Sequence, residues 1–320
     1  MSLETRPVRA QNGVAILGVF VADLVFSADR LPIPGETLKG AGFQIGPGGK
    51  GSNQAVAAAR AGADVSFITR LGQDTFGAMA RKLWSGDGIA SHVTETDTPT
   101  GAAFVHVNSV SGENAIIIVP GAAAELSADD VDAAEAVIAG SKVFVTQLEQ
   151  PVAAAQRGLE IARTHGVTTV FNPAPAERIP DAVYPLCDFI VPNEAETSAL
   201  TGFPVASLDD ARRAGDVLLS RGVGVALITL GERGALFHAR DRSVLTPAWQ
   251  AGQVVDTTGA GDAFIGSFAA ALASGEDPLE AVGFGCAAAG LSVTRRGAAH
   301  AMPYLRDILG LRGAGPPALP

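Results

Sequence analysis

The sequence predicts a doubly wound α/β fold, a mainly parallel sheet with helices on both faces, carrying a small β-sheet appendage. Three observations lead there. From about residue 128 onward, short apolar segments alternate with longer helical ones, the pattern of a parallel sheet buried on both sides. The first third is instead rich in β-branched runs separated by Pro and Gly turns. The 320 residues are 47% hydrophobic and 18% charged, which supplies enough apolar surface for a large core.

Taken in order, the run 14–25 reads as a strand, and a second follows at 38–45 after a Pro and Gly turn. Helices at 53–60 and 75–84 enclose a strand at 65–68. Segments 102–107 and 115–119 lie on either side of 108–113 and read as a hairpin. Helices are then expected at 130–139, 152–165, 194–200, 209–221, 260–274 and 279–293. Strands are expected between them at 143–146, 168–171, 189–191 and 226–229, with a short one at 253–255. Residues 1–13 read as a disordered or tag-like start, and 313–320, rich in Gly, Pro and Ala, as a flexible tail. A single α/β domain over 14–312 is expected between them.

Several functions are disfavoured. A formal net charge of -10 repels nucleic acid phosphates and anionic membranes, so neither is an expected partner. The start lacks the charged-then-apolar order of a secretion signal, and the apolar runs are broken well short of the roughly 18 to 20 residues that span a bilayer. A cytoplasmic protein is expected. Cys187 and Cys286 each sit in an apolar stretch and read as buried free thiols. His92, His106, His165, His238 and His300 are scattered without metal-ligand spacing.

In an open parallel sheet, ligands bind beyond the carboxyl ends of the strands. The polar residues at those ends are Glu149, Asn172, Asn193 with Glu196, and Thr229 with Gly231. The segment after 253–255 is Asp256-Thr257-Thr258-Gly259-Ala260-Gly261-Asp262, which opens an apolar helix. Its glycines let successive amides approach an anion, and the positive helix end favours that anion further. Asp262 in the first turn can take a proton from an attacking hydroxyl beside that cradle. Alternatively, Asp262 caps the helix.

The segment Gly46-Pro47-Gly48-Gly49-Lys50-Gly51-Ser52-Asn53 opens an Ala-rich helix. Its G-x-G-x-x-G spacing lacks the acidic residue about 20 positions on that a dinucleotide site requires. Gly51 after Lys50 and Gln44 at the first glycine position exclude a Walker loop. It reads as a substrate loop in which bare backbone and Asn53 meet hydroxyl groups, or as a helix-capping turn.

Together, in this order, these segments resemble the ribokinase-like (pfkB-type) family of carbohydrate kinases over nearly the whole chain. Gly48 to Ala55 with Leu71-Gly72-Gln73-Asp74-Thr75-Phe76-Gly77 is similar to its first signature, and Asp256 to Phe264 to its second. Asn172-Pro173-Ala174-Pro175, Pro192-Asn193-Glu194-Ala195-Glu196 and Thr229-Leu230-Gly231 fit the ribokinase branch.

The resemblance implies an ATP-dependent sugar kinase whose appendage is a lid, with strands near 18–26, 36–46 and 101–120, that also forms a homodimer contact. It casts Asp262 as base and Gly259, Ala260 and Gly261 as the anion hole. Asp23, Gly49, Lys50, Asn53 and Glu149 would face the sugar. Asn193, Thr229, Gly231 and Gly261 would face the nucleotide, with Glu196 acting indirectly on Mg²⁺. A monovalent cation, potassium, would sit near Asp256, Thr258, Ser292, Arg295 and Gly297, mostly on backbone carbonyls.

Three positions depart from the family pattern. Ala301 replaces a serine near the cation site, and Ala124 a polar residue near the lid. Val21 stands where the pattern G-x-x-N-x-D has its amide, and cannot hydrogen-bond to sugar hydroxyls. The resemblance as a whole points to D-ribose or a related pentose as substrate, while Val21 points toward its alternatives. A deoxysugar or nucleoside, and a non-catalytic sugar-binding protein, are the alternatives.

Overall fold

The computed structural model describes residues 12–313 and 315. The expected tag-like start lies outside the described residues up to 11, while Gly13 already opens a strand. Of the expected tail, Gly313 closes the last helix, and 314 and 316–320 lie outside the described residues.

The strands are β1 (Gly13–Leu17), β2 (Val21–Ala28), β3 (Gly42–Gly48), β4 (Asp64–Gly72), β5 (Ala90–Thr96), β6 (Thr100–Asn108), β7 (Asn114–Gly121), β8 (Val143–Thr146), β9 (Thr168–Phe171), β10 (Phe189–Ile190), β11 (Val225–Thr229), β12 (Ala235–His238) and β13 (Ser243–Thr246). The helices are α1 (Lys50–Arg60), α2 (Thr75–Gly86), α3 (Ala128–Ala133), α4 (Glu135–Ala139), α5 (Val152–Thr164), α6 (Glu194–Thr201), α7 (Leu208–Ser220), α8 (Ala260–Ser274), α9 (Pro278–Ser292) and α10 (Leu305–Gly313).

The main sheet has nine strands in the order β13-β12-β11-β10-β9-β8-β1-β4-β5. Every pairing from β5 across to β11 is parallel, and only β12 and β13 run antiparallel at the edge. The chain winds outward from β1 in both directions, so the switch point lies between β1 and β8, where such sheets open a crevice. Alternation along β1 sends Val14 and Ile16 into one core with α1, α8 and α9, and Ala15 and Leu17 into a second with α5 and α7. Both faces are thus covered, as predicted.

The appendage is a four-stranded sheet, β3-β2-β6-β7, in which β2 and β6 are parallel and the other pairs antiparallel. The 14–25 run is therefore two strands in two different sheets. The break follows β1, where the Gly18 N–H donates to Ile68 O and Gly51 packs so close that a side chain at 18 would collide with it. In this sheet β3 starts at 42 rather than 38.

Other boundaries moved for local reasons. The expected helix 130–139 breaks at Ala134, whose backbone leaves helical geometry, giving α3 and α4. The expected strand 253–255 does not form. Instead, the Val255 and Asp256 amides both donate to Val293 O beyond α9. Three strands and one helix escaped the sequence reading: β5, an exposed polar edge, the short antiparallel pair β12 and β13, and α10. Among the described residues no helix is long and apolar enough to cross a membrane.

Helices α1 and α8 lie in direct contact because Gly266 has no side chain. A Cβ there would sit 2.3 Å from Gln54 O and 2.7 Å from Ala57 Cβ. That approach lays the start of α1 against the start of α8.

Candidate active site

Both helices begin with an uncapped glycine. Gly49 precedes α1 at φ +90° and Gly259 precedes α8 at φ +76°, conformations natural to glycine, and neither supplies a side-chain cap. Of these first amides, Ala260 N donates to Thr257 O at 3.2 Å, which leaves those of Gly259 and Gly261 for a ligand, and the helix end adds positive potential. Asp262 is not the cap: its Oδ2 accepts from Asn53 Nδ2 at 3.0 Å and its Oδ1 from Gln54 Nε2 at 3.0 Å.

The strand ends converge on this point. Lys50, Asn172, Asn193, Glu196, Thr229, Thr257, Gly259, Ala260, Gly261 and Asp262 line one crevice of about 160 Å³. Asn193 and Glu196 form a reciprocal cap on α6, in which Asn193 N donates to one Glu196 oxygen. Asn193 also bridges to Thr229. Past β8, Glu149 Oε2 accepts from Lys50 N at 2.7 Å. Asp23 on β2 lies over Gly48, where any side chain would collide with its carboxylate. Asn53 Oδ1 is buried with no hydrogen-bond partner among the described residues.

The charges are strongly coupled. Burial raises Asp262 above the usual carboxylate range, opposed by Lys50 and by the donors Gln54 and Asn53. Burial likewise raises Glu149 to about 7 and Asp23 to about 6. Glu196 is also raised by burial, against the Asn193 amide and Lys50. For Lys50, burial works to lower the pKa, but Asp262, Glu149 and Glu196 together outweigh it, and the ammonium is held above its ordinary value. A carboxylate, a helix-end amide group and a cation therefore share one partly closed space. That set can deprotonate a hydroxyl while holding an anion against it.

Not every expected residue reaches the crevice. Gly231 starts a short 3-10 turn beyond β11 and does not line it. Asp256, Thr258, Ser292, Arg295 and Gly297 cluster beside it. Asp256 accepts from Thr258 N and Gly297 N, Ser292 Oγ donates to Ala289 O, and Arg295 pairs with Asp307. Among the described residues, no group of three or more His, Cys, Asp or Glu gathers to hold a metal. A larger cavity of about 540 Å³ lies at the root of the small sheet, but its one ionisable residue, Asp74, caps α2 and accepts from Thr100 N.

The residue that sequence reasoning missed is Gln54. It is fully buried and joins Asp262 to Asn172 Oδ1, at 3.2 Å, and to Gln147 Nε2, at 2.6 Å. A signal existed: Gln54 heads the apolar stripe of Ala57, Ala58 and Ala61, and a polar residue there must find partners inside.

The family model described as pfkB family carbohydrate kinase matches residues 11–305. A ribokinase from Haemophilus influenzae is 40% identical over 298 residues, 92% of this chain and 97% of that protein. A deoxyribokinase from Salmonella typhi is 38% identical over 297 residues, 92% and 96%. The structure of Arabidopsis thaliana ribokinase complexed with ribose and ATP superposes with a TM-score of 0.86 at 30% identity, covering 96% of this chain and 99% of that one.

Proposed function

The chain belongs to the pfkB family of carbohydrate kinases, and from that premise we propose that it transfers the γ-phosphoryl group of ATP to a hydroxyl of D-ribose. The observation that carries this reading is the Asp262 carboxylate standing beside the Gly259 and Gly261 amides at the uncapped start of α8, in a polar crevice. The sugar lies between Asp23 on the small sheet and Gly49, Lys50, Asn53 and Glu149 at the start of α1. Asp262 takes the proton of the attacking hydroxyl as its oxygen bonds to phosphorus and the bond to the ADP oxygen breaks. The amides of Gly259 and Gly261, with Lys50, hold the charge that develops on the transferring group.

ATP lies along Asn193, Glu196, Thr229 and Gly231. The oxygens of Asn193 and Glu196 are hard donors of the kind magnesium takes, and Glu196, with one oxygen engaged by Asn193 N, would meet it through water. When bound, the metal offsets phosphate charge. Potassium is assigned to the backbone carbonyls around Asp256, Thr258, Ser292, Arg295 and Gly297, to which Ala301 adds no side-chain oxygen. A higher rate in potassium than in tetramethylammonium chloride at equal ionic strength is expected; equal rates would remove that assignment. The small sheet serves as a water-excluding lid and as the homodimer contact, and the enzyme works in the cytoplasm.

A 2-deoxypentose is the second reading. Val21 is buried with Val19, Ala103 and Ala123 on the strand that carries Asp23, an apolar wall beside a single acceptor. An ADP-release assay over D-ribose, 2-deoxy-D-ribose, ketohexoses and nucleosides tests both. Preference for D-ribose is expected, preference for 2-deoxy-D-ribose would select the second reading, and preference for nucleosides would overturn both. Sugar binding without transfer would mark a non-catalytic protein.

A further inference from the structure

We propose that Gln54 is a positioning residue for Asp262 and that Gln147 sets its direction. The inference rests on Asp262 being the base. Gln54 has no exposed surface, so it cannot touch a substrate and acts only through what it binds.

The hydrogen bonds leave this amide one orientation. Asn172 Nδ2 donates to Val191 O at 2.8 Å, which turns Asn172 Oδ1 toward Gln54. Gln54 Nε2 donates to that oxygen and to Asp262 Oδ1, so a flipped Gln54 would face two oxygens with a third. Gln147 Nε2 donates in turn to Gln54 Oε1, and its own reversal would set carbonyl against carbonyl. All donors therefore run one way, from Gln147 through Gln54, and end on the carboxylate.

Two consequences follow for the base. A fixed donor on Oδ1, with Asn53 on Oδ2, favours the ionised form against the burial that opposes it. The relay also ties Asp262 to the ends of β8 and β9, so its plane is referenced to the sheet as well as to α8. The other groups acting on it are Lys50 from α1, Glu149 beyond β8 and Glu196 from α6. None of these replaces a donor on Oδ1.

Gln54→Met keeps the volume and removes both donors. Its expected effect is a fall in kcat of about 10- to 100-fold, with KM for sugar and ATP held within about threefold. The acid limb of the kcat profile should move to higher pH. Gln54→Met/Gln147→Met then removes the Gln147 amide, one of the three groups that the single variant leaves without a partner, so melting temperature should recover in part while kcat stays low. Recovery of kcat along with stability, or a single variant within about twofold of wild type, would overturn the proposal. If Gln54→Met does not fold, Gln147→Met decides: it keeps both Gln54 donors but loosens their direction, and should lower kcat about threefold or more at unchanged KM, against no change if the relay is merely structural. Asp262→Asn separates the two levels. Should it retain turnover, the base assignment fails; should it be inactive while Gln54→Met is normal, only the relay fails.

Discussion

Lys50 holds Glu149 through its main chain: the amide N–H donates to Glu149 Oε2 at 2.7 Å, while the ammonium acts through space on Asp262, Glu149 and Glu196. One residue thus orients an acid with its backbone and keeps its charge for the anion. Glu149, raised by burial from 4.5 to about 7, binds more protons folded than unfolded. Its contribution, on the order of 3 kcal/mol when fully developed, is present below pH 4.5 and lost as pH rises through 7. Asp23, raised to about 6, acts with the same sign over a lower window. Glu149→Gln should flatten the decline of melting temperature between pH 4.5 and 7 and raise KM for the sugar. An unaltered slope would show that Glu149 is not the titrating group.

Asp262→Asn should lower kcat by about 10²- to 10⁴-fold, the range for loss of a general base. Nucleotide affinity, measured by calorimetry, should change little, because the Gly259 and Gly261 amides and the Asn193 side remain. Near-normal turnover would show that the hydroxyl is deprotonated elsewhere.

Val21→Asn tests the apolar wall. An amide at this position beside Asp23 gives a sugar hydroxyl a partner, and should raise kcat/KM for D-ribose over 2-deoxy-D-ribose by about 3- to 10-fold. An unmoved ratio would place Val21 outside the sugar site.

Much of this was legible in the sequence for a physical reason. Strands 143–146 and 168–171 and helix 260–274 match the structure residue for residue, because each is an apolar run bounded by turn residues. Asp262, Lys50, Asn193, Glu196 and Thr229 stood out because strand ends and glycine turns announce themselves locally, and all five line one crevice. The polar edge strand β5 carries no apolar period to detect. Gln54 and Gln147 meet across 93 positions of chain, so their pairing exists only in three dimensions. The break in 14–25 had the same cause: its apolar residues continue while the partner strands change.

Gly266→Ala probes the contact between α1 and α8. The added methyl meets Gln54 O and Ala57 Cβ inside contact distance, and overpacking of this kind costs about 1–3 kcal/mol. Because the displaced segment carries Asn53 and Gln54, kcat should fall along with melting temperature. Lost stability with full turnover would show that the two helices can separate without disturbing Asp262.

The small sheet also carries an apolar face that none of the described residues covers. Phe26 packs at a tilt against Phe43 at 4.8 Å and Phe104 at 5.5 Å between ring centroids, and Phe26 and Phe43 are 42% and 55% exposed. Cross-strand pairing puts Leu24, Ile45 and Ile117 on that same side, whereas Asp23 and Val21 point to the other. A patch so continuous is costly in water unless covered, and a second copy can cover it with the same surface. Phe43→Glu should therefore convert a dimer to a monomer in sedimentation velocity. It should also raise KM for the sugar, since the sheet that loses its partner is the one that positions Asp23. A wild-type protein that sediments as a monomer at micromolar concentration would dismiss the contact.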